Sequence, residues 1–183
     1  MWAVNSIDQL EPLSAHYGFS AILLCNEFDT NLLNSLAGAF DTLNRQTGEH
    51  LHIVVPSKTS SHELNQAIIQ PVFANHYDFH LALTIAEIYK IDEIHFPALV
   101  FDFFDNQEDP YIPLGGLSEA QMRQLIILIS RHVNKWNKEN DRREFLIEVI
   151  ERINAEQFSE LLETKLTAEQ SITSKLLGME KSS

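Results

Sequence analysis

The sequence predicts an α/β fold, a central mixed sheet flanked by helices, continued by a helical C-terminal extension. Three observations lead there. Phe19 to Cys25 and Leu51 to Val55 are nearly continuous apolar runs with a helical stripe between them. Strand, helix, strand at this spacing is a βαβ unit, which implies parallel strands and a right-handed crossover. Next, Pro97 to Phe104 is an apolar strand starting at a proline, followed by a polar turn, a short strand and a capped amphipathic helix. Beyond these, Phe145 to Leu162 carries a second amphipathic pattern.

Taken in order, residues 6–17 read as a helix that Ser6 can cap, with Ile7, Leu10, Leu13 and Tyr17 near one face and Pro12 shortening or kinking it. Gly18 ends it. The run from Phe19 to Cys25 suits a strand covered on both faces. Asp29 or Thr30 can cap the next helix, whose stripe is Leu32, Leu33, Leu36, Phe40 and Leu43. Gly48 breaks that pattern, and the strand from Leu51 stops at Pro56. Between Ser57 and Asn75 the pattern is weak; Ser60 or Ser61 can start a short helix through Ile69, interrupted at Pro71.

A helix from about Asp78 to Tyr89 presents Leu81, Ile85 and Ile88 on one face. The strand from Pro97 follows, then the acidic hairpin tip Asp102 to Asp109, expected to be solvated. Tyr111 to Leu114 is a short strand whose Pro113 suggests an edge or a strand end. Ser118-x-x-Gln121 is a capping box that opens a helix with Met122, Leu125, Ile126, Leu128, Ile129 and Val133. Lys135 to Arg143 is polar, with only Trp136 to bury, and reads as a helix end or linker. Thr167-x-x-Gln170 is a second capping box near the C-terminus. The division expected is a domain over 1–133, with an insertion about 56–77, and an extension over 134–183.

Composition narrows the function. With 13 Lys and Arg against 26 Asp and Glu, the net charge is −13, which argues against nucleic acid and anionic membranes as partners. The lone Cys25 excludes an intrachain disulfide framework and Cys-rich zinc sites. Met1 to Asp8 lacks a signal-peptide pattern, and no apolar run approaches the roughly 20 residues that span a bilayer. A cytoplasmic protein is expected.

The order helix, strand, helix, strand, helix, proline-initiated strand, hairpin, helix resembles the thioredoxin-like family over about residues 1–133. Pro97 matches the family's cis-proline, and Gly115-Gly116-Leu117-Ser118 matches the turn before its last helix. The resemblance implies a thioredoxin-like fold with a cis Phe96–Pro97 bond. It also puts the redox motif on Thr30-Asn31-Leu32-Leu33, the buried acid on Leu24 and the active-site tryptophan on Asp29. Dithiol exchange needs a low-pKa attacking thiolate and a resolving partner, and neither is encoded there. No catalytic residue and no cofactor are expected. In this family the backbone before the cis-proline pairs with an extended substrate, so Thr30, Asn31, His95, Phe96 and Pro97 are the candidate peptide- or ligand-binding residues.

The function expected is that of a non-catalytic interaction module, adaptor or chaperone-like binder of other proteins. Leu146, Val149, Ile150, Ile153 and Leu161 form an apolar stripe that needs a cover, so a partner or a homo-oligomer through the C-terminal helices is expected to use part of it. One alternative is a thiol- or glutathione-dependent enzyme using Cys25, although a small buried thiol needs no such role. A second alternative is a histidine-dependent metal binder. His76 and His80 at i, i+4 could share a helix face, with His62, Glu63 and Asp78 as further ligands, but no third ligand has a diagnostic spacing.

Overall fold

The structure, a computed structural model, describes residues 2–10, 18–38, 50–59, 73–103, 109–137, 139 and 141–153. Among the described residues, five strands form one sheet: β1 (Trp2–Val4), β2 (Phe19–Leu24), β3 (Leu51–Pro56), β4 (Ala98–Asp102) and β5 (Tyr111–Pro113). Their order is β1-β3-β2-β4-β5; β1 and β2 both run parallel to β3, and β4 and β5 are antiparallel to their neighbours. The helices are α1 (Thr30–Gly38), α2 (Phe73–His76), α3 (Phe79–Ile88), α4 (Glu119–Val133) and α5 (Arg142–Ile153). The fold is therefore mixed α/β with a mixed sheet.

Local chemistry explains the elements that periodicity announces. All six residues of β2 and all five of β4 are buried, as expected of central strands. The Asp78 carboxylate accepts the Leu81 amide proton and caps α3. At α4 the capping box closes both ways, Gln121 N–H to Ser118 Oγ at 3.3 Å and Ser118 N–H to Gln121 Oε1 at 2.8 Å. Gly116 has φ 83°, a left-handed turn that favours glycine. The Phe96–Pro97 bond is cis, as the resemblance implies.

Other expectations need correction. The N-terminus contributes a strand that no pattern announces, because β1 is three residues long and takes its geometry from pairing with β3. Ser6 makes no side-chain cap; Ile7–Gln9 is a 3₁₀ turn, and the expected helix beyond Leu10 lies outside the described residues. The buried face of α3 is Ala82, Ile85 and Ala86, while Ile88 is exposed. The closing strand ends at Asp102, not Phe104. Nor is the acidic hairpin simply solvated. Asp102 is buried and hydrogen-bonded to Tyr89, and the Asp109 carboxylate accepts from Phe103 N–H and from Arg143 Nη2, both at 3.1 Å. Residues 104–108, the second capping box and most of the insertion lie outside the described residues. The insertion's described ends are pinned together, Lys58 N–H to His76 O at 2.8 Å and Asp78 N–H to Pro56 O at 3.2 Å.

The expected extension begins inside the core. Val133, Leu146, Val149 and Ile153 belong to the same hydrophobic cluster as β2 and β4. Phe19 packs edge-on against Trp136 (ring centroids 5.5 Å apart) and Phe103 (6.5 Å), and lies 6.2 Å from Phe145. Arg142 and Arg143, read as linker residues, hold their guanidinium carbons 5.1 and 4.6 Å from the centre of the Phe103 ring. Arg142 also donates to Gly18 O and Phe103 O. Thus α5 is fastened at its first turn to the ends of β2 and β4. Among the described residues, no helix is long and apolar enough to cross a membrane.

Candidate functional site

Strand register assembles the site. Leu24 pairs with Ala98 and Ala98 with Pro113, so the end of β2, the start of β4 and the end of β5 lie at one end of the sheet. Leu114 N–H donates to Pro97 O at 2.6 Å, which fixes the turn before α4 against the cis-proline. The chain leaving β2 makes a compact side-chain turn: Asn26 N–H to Asp29 Oδ2 and Phe28 N–H to Asn26 Oδ1, both 2.9 Å. This turn delivers Thr30 and Asn31, both exposed, to the first turn of α1.

Between the first turns of α1 and α4 lies an open groove of about 590 Å³. Phe28, Asp29, Asn31 and Leu32 form one wall; Leu117, Glu119, Met122 and Arg123 are among the residues of the other. Phe28 is 86% exposed, and Ile94, just before the cis-proline, is 80% exposed. The sequence pattern singles out neither. The available signal was an aromatic residue outside any apolar stripe, directly ahead of a helix start. Partial burial raises the Asp29 carboxyl above its ordinary value, opposed by the hydrogen bond from the Asn26 backbone.

The other candidate residues are placed differently. Phe96 and Pro97 are buried and His95 is half-buried, its ring 5.4 Å from that of Tyr111. The resemblance implies backbone pairing with a substrate here, yet Phe96 N–H donates to Glu93 O and His95 N–H to Asp92 O, both at 3.0 Å. These donors close a 3₁₀ turn (Glu93–His95) and are already used. What this end of the molecule offers is side chains.

Cys25 is 1% exposed. Burial pushes its thiol well above the ordinary range, Asp29 adds to the effect, and a hydrogen bond with Tyr77 opposes it. A protonated, covered thiol is a poor nucleophile. The histidine pair is separated: His76 ends α2 and His80 lies in α3, with Tyr77 and Asp78 outside both helices. The shared helix face on which that pair was based is absent, and His62 and Glu63 lie outside the described residues. Among the described residues no group of three metal-ligating side chains converges. Leu146, Val149 and Ile153 are buried by the chain itself, and Ile150 is half-buried against the core, so these four offer little open surface. Leu161 lies outside the described residues.

No family model matches the chain, and neither a curated protein nor a solved structure matches it.

Proposed function

We propose that the chain is a redox-inactive protein of thioredoxin-like fold, cytoplasmic, and a non-catalytic module that binds an extended apolar segment of another protein. The observation that carries the reading is the groove between α1 and α4, flanked by the exposed Phe28 and lined by Asn31 and Leu32, within the stretch Thr30 to Leu33 on which the resemblance puts the redox motif. The strand order, the proline-initiated β4 and the capped α4 support the fold assignment. An exposed aromatic beside a groove is an inexpensive anchor, since aromatic side chains bury much area while fixing few torsions. The buried thiol and the engaged Phe96 amide favour side-chain docking over thiol chemistry or strand addition at the proline. A lone, covered cysteine also suits a reducing compartment.

Displayed peptide libraries screened against the immobilised chain test this reading. Enrichment of apolar segments that Phe28→Asp abolishes is the expected result, together with no turnover in insulin disulfide reduction. Enrichment unaffected by Phe28→Asp, or disulfide reduction that disappears in Cys25→Ser, would overturn it.

A further inference from the structure

At the end of the sheet far from the groove, a row of polar side chains crosses an otherwise apolar face. His52 of β3 is the register partner of Ser20 in β2, and Ser20 is the partner of Asp102 in β4. Cross-strand partners point to the same face, and Trp2, partner of Val54, shares it with His52. The row thus runs Trp2, His52, Ser20, Asp102 and ends on Tyr89, which hydrogen-bonds Asp102. Its outer link has a definite polarity: Trp2 Nε1–H donates to His52 Nδ1 at 3.0 Å. An indole N–H can only donate, so the accepting nitrogen must carry no proton.

β1 depends on that link more than a longer strand would. It has three residues and, among the described residues, one strand neighbour, β3. Its other anchors include the ladder to β3, buried Val4, and the bond from Ser57 N–H to Val4 O at 2.7 Å.

We infer that His52 is a proton-sensitive clasp for the edge strand β1, closed while its imidazole is neutral and opened when Nδ1 is protonated. An imidazolium has two donors and no acceptor, so protonation removes the bond and sets two N–H groups against each other. The link holds while the ring is neutral and is lost as falling pH protonates it. Opening loosens β1 and bares the outer edge of β3, a row of backbone groups able to pair with another strand.

Among the described residues, the titratable groups sharing this face are few. β1 has none, and β2 offers Ser20, which does not titrate in this range. Asp102 stands two strands from His52, about 10 Å by strand spacing. His50 lies just before β3, Tyr89 follows α3 as its C-cap, and His80 and Glu87 of α3 are exposed. Asp102 is the one carboxylate of the row. It favours a charged imidazole without replacing the acceptor that Trp2 needs.

The test uses the full-length ¹⁵N-labelled chain between pH 7.5 and 5.0. It follows the Trp2 indole N–H resonance, the His52 ring protons, and exchange protection of the Ser57 amide corrected for intrinsic rates. As His52 titrates, the indole resonance should leave its hydrogen-bonded position and Ser57 protection should fall by roughly 3–10-fold, the worth of one net hydrogen bond. Trp2→Phe should abolish the pH dependence of Ser57 protection, and His52→Asn, whose Oδ1 can accept but does not titrate, should hold it flat. An indole resonance unchanged while His52 titrates overturns the proposal. So does a pH-dependent loss of Ser57 protection that persists in Trp2→Phe.

Discussion

The Tyr77 hydroxyl accepts the Cys25 amide proton at 2.8 Å and donates its own proton to Leu23 O at 2.9 Å, tying off the end of β2 with a side chain. All three residues are buried. Beyond Leu24 the ladder to β4 stops, and the phenol supplies the partners that a longer strand would have supplied. Because Cys25 leads directly into the Asn26–Asp29 turn, Tyr77 also positions the start of α1 and one wall of the groove.

Replacing Tyr77 by Phe should therefore reach beyond the lost hydroxyl. It strands a buried donor and a buried acceptor, each worth about 1–3 kcal/mol when unsatisfied. We expect destabilisation of roughly 2–4 kcal/mol in urea titration, with faster thiol labelling of Cys25 below the transition. A loss under about 0.5 kcal/mol would show that the two bonds are replaced by solvent or dispensable.

Alkaline pH should weaken the fold through the same pair. Burial is the largest cause raising both the Cys25 thiol and the Tyr77 phenol, above ordinary values of 9.0 and 10.0. The native state then holds protons that the unfolded state has released. The associated stability is complete below the ordinary thiol range and declines as pH rises through and beyond it. Thermal melts from pH 7.5 to 10.5 should show a falling midpoint, with the first part of the fall absent in Cys25→Ala. An equal decline in that variant would assign the effect elsewhere.

Helix α5 should behave as core. Leu146→Ala removes a fully buried side chain and should cost about 2–5 kcal/mol, and Ile153→Asp should unfold the chain. Arg143→Ala breaks a pair with Asp109 in which the side chains are 12% and 9% exposed. Asp109 retains the Phe103 amide, so the loss should be about 1–3 kcal/mol. Ile147→Asp, on the exposed side, should change stability by less than about 0.5 kcal/mol. Denaturant midpoints for the four variants check this ranking; tolerance of Ile153→Asp would separate α5 from the core.

Phe28 and Ile94 should be neutral for folding. Both are largely solvent-exposed, so Phe28→Ala and Ile94→Ala should stay within about 0.5 kcal/mol of wild type. Under the proposed function, Phe28→Ala nevertheless weakens peptide capture in a titration against a selected segment. A large stability loss in Phe28→Ala would recast the residue as part of the fold.

Local pattern determined much of this protein. The saturated runs of β2, β3 and β4, the capping box of α4 and the Asp78 start of α3 are written in residues within a few positions of each other, and hydrogen bonds or alternation act over that range. A single cysteine likewise rules out an intrachain dithiol from sequence alone. Tertiary structure decided what covers what. Trp2–Val4 becomes a strand because β3 supplies a partner from about fifty residues away, as the pairing of Trp2 with Val54 shows. Arg142 and Arg143 look like linker charges until Phe103, Gly18 and Asp109 are brought beside them. Phe28 reads as one more apolar residue, and only the meeting of α1 with α4 makes it the lip of a groove. The α5 stripe shows the divide most clearly: helical spacing states that one face must be buried, but not against which surface. That choice is made by long-range packing, where complementary shape rather than sequence interval selects the partner.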